Sequence, residues 1–370
     1  MGKLAVRKRQ GQKAEHALKM KSGGRGQGGG HSLKMIVRML MMCNAPHIVV
    51  QLALLIGSNT ELDQVMAPVD QVEYFAGQRE VTKSAWDRGR HAIPYDMKDD
   101  PETLDITTSL GFIRAFHLSM KLRKGGNSIH APVCSSWGQV NRGTSGRSAL
   151  NPLGNLKYAY VRNANVMVSR VVIILWLQLA LGVFIILEQP LNSLMEHHPR
   201  MAHWIKANNI RRTHLNMKDY GAPTKKATWL YSQFSWITEI EDFTTVAPTS
   251  PNKKRKRDQA SNTTSKKQKK EAGRAATADV SRNWTDAKTG KKKYAGGKGM
   301  KASQAYPHGF GEAVAKLYER HEDEIRSHVE GLVDAASAAP VPVNHGMSLF
   351  RQPRDKWSDA MLRPVFKHLV

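Results

Sequence analysis

Residues 69–96 read VDQVEYFAGQREVTKSAWDRGRHAIPYD, and this stretch decides the fold class. It predicts a buried strand over residues 69–75, a short helix over residues 80–87 and a second strand over residues 91–95 that ends at Asp96. A tight turn containing Gly77 joins the first strand to the helix. Strands that alternate with helices favour a parallel, doubly wound α/β sheet of Rossmann-like type.

The same alternation continues on both sides of this stretch. Further strands are predicted at residues 128–131, 183–187, 211–217 and 227–234. Helices are predicted from Ser109, as the cap, to the stop at Gly125-Gly126, and at residues 165–181, 192–208 with a break at Pro199, and 311–333. Residues 132–155 form a loop too long for a mere connection, which indicates a functional loop.

Composition divides the chain into four parts. Residues 1–62 are expected to be a basic disordered arm followed by an apolar helical segment, and residues 63–243 the α/β core. Residues 244–305 are rich in Lys, Ser, Thr, Ala and Gly and are expected to be a basic disordered linker. Residues 306–370 are expected to supply a helical segment that completes the core.

Positive charge is concentrated in two arms of the 370-residue chain, which has 56 Lys and Arg against 31 Asp and Glu, a net charge of +25. Residues 1–40 hold ten basic residues and one acidic residue, which gives +9, and residues 251–301 hold seventeen and four, which gives +13. Such arms attract polyanions, so nucleic acid is the expected partner, DNA more than RNA. The alternative is that the lysine-rich runs only keep a disordered segment solvated.

The second arm contains a basic cluster typical of a nuclear import signal, which predicts a nuclear location. The same cluster is the candidate nucleic-acid contact and also suits a plain polyanion tether. Its residues are Lys253, Lys254, Arg255, Lys256, Arg257, Lys266 and Lys267.

Three classes of protein are disfavoured by the remaining composition. Two cysteines, Cys43 and Cys134, exclude a disulfide scaffold and a zinc site made of cysteine tetrads, and His197-His198 lacks the carboxylate spacing of a metal site. The most hydrophobic window, residues 171–187, contains Gln178 and is short for a membrane span, so neither a metal nor a membrane is expected.

The strand ends carry the candidate site residues, because ligands of such sheets bind beyond the carboxyl ends of the strands. Gly77 follows the first strand, Asp96 ends the second, and Cys134 lies just past the strand at residues 128–131. Glu188 ends the strand that follows, and a turn at residues 219–223 comes after the next one.

The order of these motifs resembles that of the DNA (cytosine-5) methyltransferase family. Residues 73–80, EYFAGQRE, resemble the family's Asp-Leu-Phe-Ala-Gly-x-Gly-Gly turn, and residues 219–223, DYGAP, resemble its Asp-Tyr-Gly-Val-Pro turn. Cys134 matches the family's Pro-Cys nucleophile, and Glu188 matches the acid of its Glu-Asn-Val motif. Residues 310–314, FGEAV, resemble its last helix, so the resemblance covers about residues 68–236 and this helix.

The resemblance implies a class I methyltransferase fold and S-adenosylmethionine as cofactor. The turn formed by Phe75, Ala76 and Gly77 would cradle the cofactor. Asp96 would hold its ribose, and Asp105 would meet its adenine.

The resemblance also implies a mechanism on a cytosine flipped out of the duplex. The Cys134 thiolate would add to C6 while Glu188 protonates N3, so that C5 accepts the methyl group. Because addition needs a thiolate, we expect Arg142 or Arg147 of the following loop to lower the pKa of Cys134.

Two departures from the family frame the alternatives. Arg79 and Glu80 replace two glycines of the cofactor turn, so the direction of the Arg79 side chain decides whether the cofactor has room. Residues 244–305 replace the family's target-recognition domain, so poor sequence specificity is expected.

The alternatives are a catalytically inactive, methyltransferase-like protein that binds nucleic acid or accompanies a mobile element, and a small-molecule methyltransferase with incidental basic tails.

Overall fold

The computed structural model describes residues 31–57, 68–245, 281–285, 290, 292–296 and 305–339. The strands are β1 Val69–Tyr74, β2 Ala92–Tyr95, β3 Leu122–His130, β4 Phe184–Pro190, β5 Arg211–Asn216, β6 Ala227–Ser232, β7 Ser281–Thr285 and β8 Lys292–Gly296. The α-helices are α1 Leu33–Met42, α2 His47–Gly57, α3 Glu80–Asp87, α4 Ser109–Met120, α5 Arg142–Ser145, α6 Ala159–Ala180, α7 Pro199–Ala207, α8 His308–Arg320 and α9 Glu322–Ala338. Short 3₁₀ helices are Gln139–Asn141, Met195–His197, Met217–Tyr220 and Ser235–Phe243.

Six strands form one mixed sheet in the order β2-β1-β3-β4-β6-β5. The first four pair in parallel, whereas β6 runs antiparallel to both of its neighbours, β4 and β5. The α/β expectation is therefore confirmed in its coarse form: the sheet is mostly parallel and consistent with a Rossmann-like fold. The prediction of an all-parallel sheet is wrong for β6, which runs in the reverse direction.

Strand β4 shows why the sheet is buried on both faces. Successive side chains of a strand point to opposite faces, so Ile185 and Leu187 join one hydrophobic core while Phe184 and Ile186 join the other. Helices α1, α2, α4 and α6 contribute to the first core, and α3 and α8 contribute to the second. Helices therefore cover both faces.

The expected helix stop at Gly125-Gly126 is wrong, because both glycines lie inside β3. The register between β1 and β3 shifts between Val69 and Gln71, which marks a bulge, and Gly125 has φ +72°. A Cβ on Gly126 would lie 2.8 Å from the Asp70 carbonyl oxygen. These glycines permit the bulge and the close strand approach, which local helix-stop rules do not distinguish.

Other predicted boundaries shift for local reasons. Thr108, and not Ser109, caps α4, since its side chain accepts a hydrogen bond from the Gly111 amide. Pro199 begins α7, a position that proline suits, instead of breaking a longer helix. The single helix predicted over residues 311–333 is two helices, α8 and α9.

The basic stretch from residue 244 to residue 305 also needs a correction. Strands β7 and β8 pair antiparallel within it, so the expectation of no fixed structure is wrong for these residues. Strand β8 lies beside the 3₁₀ helix Gln139–Asn141 of the loop that follows Cys134. The remaining basic residues of the two arms lie largely outside the described part of the chain.

Helix α6 is long and apolar enough to cross a membrane by length and composition alone. Within the described residues it is the one helix of this kind, and 72% of its most apolar window is buried inside the protein. A buried core helix of a soluble domain passes the same test, so its hydrophobicity is explained by packing against the sheet.

Candidate active site

The sheet brings the candidate nucleophile and the candidate acid to one edge. Cys134 follows the carboxyl end of β3, and Glu188 lies near the carboxyl end of β4, its parallel neighbour. Because β6 is reversed, Lys226 at its start lies at the same edge. Residues that are far apart in sequence therefore converge where ligands bind in sheets of this type.

Cys134 is a free cysteine held at the start of a turn. Its carbonyl oxygen accepts hydrogen bonds from the amides of Trp137 and Gly138, both at 2.9 Å. Burial raises the pKa of the Cys134 thiol, the charge of Glu188 raises it further, and Lys226 lowers it. The prediction that Arg142 or Arg147 lowers this pKa is wrong for this structure, because the pKa is raised and the charge that lowers it is that of Lys226.

Glu188 is a buried carboxylate that contacts one cationic side chain and one neutral side chain. Lys226 Nζ lies 3.2 Å from its Oε1, and the Tyr306 hydroxyl donates to its Oε2 at 3.2 Å. The ion pair is largely shielded from water, so it positions the carboxylate as well as balancing its charge. The positive charge that sequence reasoning assigned to the loop after Cys134 is supplied by Lys226.

Tyr306 is a site residue that sequence reasoning missed. Its phenol contacts Glu188, and burial together with the nearby Glu188, Glu73 and Cys134 raises its pKa well above the usual value. Its ring lies 4.8 Å from the ring of Phe310, centroid to centroid. The phenol thus contacts the candidate acid and lies near enough to the candidate nucleophile for Cys134 to affect its pKa. Its position four residues before Phe310 is the one signal that could have identified it.

Glu73 in β1 is a second missed residue. Its side chain is 1% exposed, and its Oε2 accepts from the Thr82 amide at 2.7 Å and from the Thr82 hydroxyl at 2.5 Å. Burial raises its pKa from 4.5 to about 7, against the hydrogen bonds from Thr82. Within the described part of the chain, its Oε1 has no hydrogen-bond partner. Such an unpaired buried oxygen needs an explanation.

The candidate cofactor turn is a tight turn with a left-handed backbone at two positions. Phe75 and Gly77 have φ +61° and +54°, and Ala76 between them is buried. The Gly77 amide donates to Asp96 Oδ2 at 2.8 Å, and the Lys98 amide donates to Oδ1 at 2.9 Å. Asp96 therefore holds the Gly77 amide of the turn in place.

Arg79, the bulky departure in this turn, points to a partner outside it. Its guanidinium forms an ion pair with Asp99, and both side chains are partly exposed. Asp105 lies in the loop before α4, where its Oδ1 accepts from the amide and the hydroxyl of Thr107, both at 2.8 Å.

Helix α8, which contains residues 310–314, packs closely on α3 beside the turn. A Cβ on Gly311 would lie 2.4 Å from the Glu80 carbonyl oxygen, so only glycine permits this approach. Arg88 of α3 donates to both oxygens of Glu312, at 2.9 Å and 2.8 Å. The two helices are thus joined by backbone contact and by a bidentate ion pair.

Arg147 is buried beneath the loop and does not act on the thiol. Its guanidinium lies 3.4 Å from the centre of the Trp137 ring and donates to Ser136 Oγ at 2.8 Å and Asn165 Oδ1 at 2.8 Å. It also donates to the carbonyl of Val161 at 3.2 Å and to that of Pro152. Arg147 holds the loop together, and burial lowers its own pKa to about 10.

A cavity of about 440 Å³ opens beside Tyr306. The turn at residues 220–223 lines one side of it, and residues 305–309 line the other. Within the described residues, no group of three His, Cys, Asp or Glu side chains could hold a metal ion. The candidate nucleic-acid residues from Lys253 to Lys267 lie outside the described residues.

Comparisons with family models, with curated proteins and with solved structures give no match.

Proposed function

We propose that this protein is an S-adenosylmethionine-dependent methyltransferase that acts on C5 of cytosine in nucleic acid. The observation that carries the proposal is the convergence of Cys134 and Glu188 at one edge of the sheet, close enough for Glu188 to raise the pKa of the thiol. The mostly parallel sheet with one reversed strand, β6, is compatible with a class I methyltransferase fold.

The residues around the turn fit the cofactor. The left-handed backbone at Phe75 and Gly77 leaves a tight loop at the end of β1, and Arg79 is paired with Asp99. The unpaired Oε1 of Glu73, just before this turn, suits a cationic group. Each oxygen of Asp96 accepts one amide and can accept a ribose hydroxyl as well. S-adenosylmethionine, when bound, supplies an electrophilic methyl group.

The chain's own residues supply the chemistry at the base. The Cys134 thiol gives its proton to the Glu188 carboxylate as its sulfur forms a bond to C6 of the ring, and Glu188 donates this proton to N3 and so neutralises the charge that develops. Lys226 holds Glu188 in place through the 3.2 Å ion pair. Once C5 carries the methyl group, a solvent water takes the C5 proton, the sulfur leaves C6 with its electron pair, and the N3 proton returns through Glu188 to the sulfur, which restores the aromatic ring and the free thiol. The cytosine ring must displace the Tyr306 hydroxyl to reach Glu188.

A second candidate function is a non-catalytic, methyltransferase-like protein that binds nucleic acid. Two observations favour it: the pKa of Cys134 is raised where catalysis needs a thiolate, and the Tyr306 phenol is hydrogen-bonded to Glu188. The basic arms would then be the functional part of the molecule, as a tether to polyanions.

One experiment separates the two candidates. The full chain is incubated with S-adenosylmethionine labelled in its methyl group and with DNA or RNA, and the label transferred to the nucleic acid is measured. Cys134→Ser should abolish transfer, whereas Cys43→Ser, which changes the other cysteine, should not. Transfer that survives Cys134→Ser at full rate would exclude the cytosine-5 mechanism.

Trapping the enzyme on its substrate adds a second readout. A cytosine that carries fluorine at C5 cannot lose a proton there, so the sulfur stays bonded to C6 and the adduct survives denaturation. We expect an adduct with the unmodified chain and none with Cys134→Ser. Binding of the nucleic acid without transfer or adduct would favour the second candidate.

The arms are tested by removing residues 246–304. We expect a lower affinity for DNA and a shallower dependence on salt, because each phosphate contact releases counterions. A fluorescent fusion of the full chain should accumulate in the nucleus, and replacing Lys253–Arg257 with neutral residues should abolish this accumulation.

A further inference from the structure

The chain has no acidic residue between Asp105 and Glu188. Residues 106–187 contain nine Lys and Arg and no Asp or Glu, although the chain outside the two arms is close to neutral. This segment includes the loop that begins at Cys134 and the start of α6. Arg147 and Arg170 are buried, so the other seven of these nine residues supply the positive charge of the surface, which attracts polyanions.

Large apolar side chains project from this loop into solvent. Leu150 is 99% exposed, and Leu153, Leu156, Tyr158 and Tyr160 are each exposed by more than a third. The Tyr158 and Tyr160 rings lie 5.8 Å apart, centroid to centroid. We call these five residues the Leu–Tyr face. Exposed apolar residues grouped in this way mark an interaction surface.

The loop that carries the Leu–Tyr face is tightly constructed. The Asn155 amide donates to the Ser145 carbonyl at 2.7 Å, and the Asn151 amide donates to Ser148 Oγ at 2.9 Å. Arg147 ties the carbonyl of Pro152, within the loop, to Ser136, two residues after Cys134. The exposed residues are therefore presented on a fixed framework that is joined directly to the loop of the candidate nucleophile.

We propose that the Leu–Tyr face contacts the unstacked bases of nucleic acid, as a single strand or as a locally opened duplex. Aromatic rings stack on bases, and apolar side chains insert between base steps. Lys157 and Arg162, both exposed, flank the face for phosphate contacts. A second copy is disfavoured as the occupant, because two copies of this face would bring Lys157 and Arg162 opposite like charges and residues 106–187 hold no acidic residue to pair with them. The inference rests on the proposed nucleic-acid partner and not on methyl transfer.

The test measures the affinity of the full chain for three labelled DNAs by fluorescence anisotropy: a single strand, a paired duplex, and a duplex with a central mismatched bubble. The variants are Leu150→Ser and the double variant Tyr158→Ala, Tyr160→Ala. Leu110→Ser is the matched control, since Leu110 is 52% exposed but lies at the start of α4.

We expect each face variant to bind the single strand and the bubble about tenfold more weakly. The loss for the paired duplex should be smaller, the salt dependence should not change, and Leu110→Ser should bind as the unmodified chain does. Unchanged melting temperatures would show that the exposed substitutions leave the fold intact.

Three outcomes would overturn the inference. The face variants bind the single strand as tightly as the unmodified chain, or they change the salt slope for every DNA equally, or they convert a dimer into a monomer in sedimentation. If the unmodified chain binds no nucleic acid, the inference and the proposed partner fail together. If the variants lose affinity while the unmodified chain transfers no methyl group, the inference stands and the proposed enzymatic function fails.

Discussion

Replacing Glu73 with Gln should remove a specific dependence of the protein's stability on pH. Glu73 is 1% exposed and is held by the amide and the hydroxyl of Thr82. Burial raises its pKa from 4.5 to about 7, because the ionised carboxylate loses its hydration. A glutamine side chain has nearly the same shape, accepts the same two hydrogen bonds and carries no charge at any pH.

The size of the effect follows from the two pKa values of Glu73. A carboxyl whose pKa rises from 4.5 unfolded to about 7 folded costs the folded state about 3 kcal/mol once it is ionised. The pKa is higher in the folded state than in the unfolded state. The folded protein therefore keeps its full stability below about pH 4.5 and loses this amount as the pH rises to about 7. Glu73→Gln should therefore exceed the stability of the unmodified protein by under about 1 kcal/mol near pH 5 and by about 3 kcal/mol near pH 8.

Urea unfolding of both proteins near pH 5 and near pH 8 measures this difference in the free energy of unfolding. Comparing the two proteins at each pH cancels the other titrating groups. Glu102→Gln, at an exposed position, is the matched control and should leave the pH dependence unchanged. If the stability difference between Glu73→Gln and the unmodified protein is the same at both pH values, the argument from burial is refuted.

Three further predictions concern the edge of the sheet. Glu188→Gln, in a Cys43→Ser background, should lower the pKa of Cys134 and speed its alkylation near pH 8, because the Glu188 charge raises that pKa; a slower reaction would contradict the assigned electrostatics. Tyr306→Ala should expose the thiol and speed alkylation more than Tyr306→Phe, which keeps the ring; equal rates in the two variants would mean that the ring does not cover Cys134. Arg147→Met should lower the free energy of unfolding by about 3 kcal/mol or more, since it leaves buried carbonyl and side-chain acceptors without a donor; a loss under about 1 kcal/mol in urea would show that the loop does not depend on it.

Local sequence patterns predicted the elements whose boundaries depend on neighbouring residues. The strand at β1 and the helix at α3 lie where the alternation of apolar residues and the Gly77 turn placed them. The order of the strand ends also predicted that Cys134 and Glu188 would lie at one edge, because parallel neighbouring strands present their carboxyl ends together.

Non-local contacts decided the features that the patterns missed. Gly125 and Gly126 have the composition of a helix stop, but pairing with β1 places them in a bulged strand. Arg147 lies in a polar loop, where a solvated side chain is expected, but its guanidinium is enclosed by Trp137 and by α6. In both cases the contacts that decide the structure come from residues far away in the sequence.

The sequence by itself determined the α/β class, the basic arms and the identity of the two candidate reactive side chains, because each depends on composition or on spacing along the chain. Only the tertiary structure decided what surrounds those side chains. Lys226 reaches Glu188 because β6 runs in reverse beside β4, and Tyr306 reaches it because α8 packs on α3. The pKa of a thiol depends on burial and on charges brought near it by folding, and these are set by contacts between residues distant in the chain.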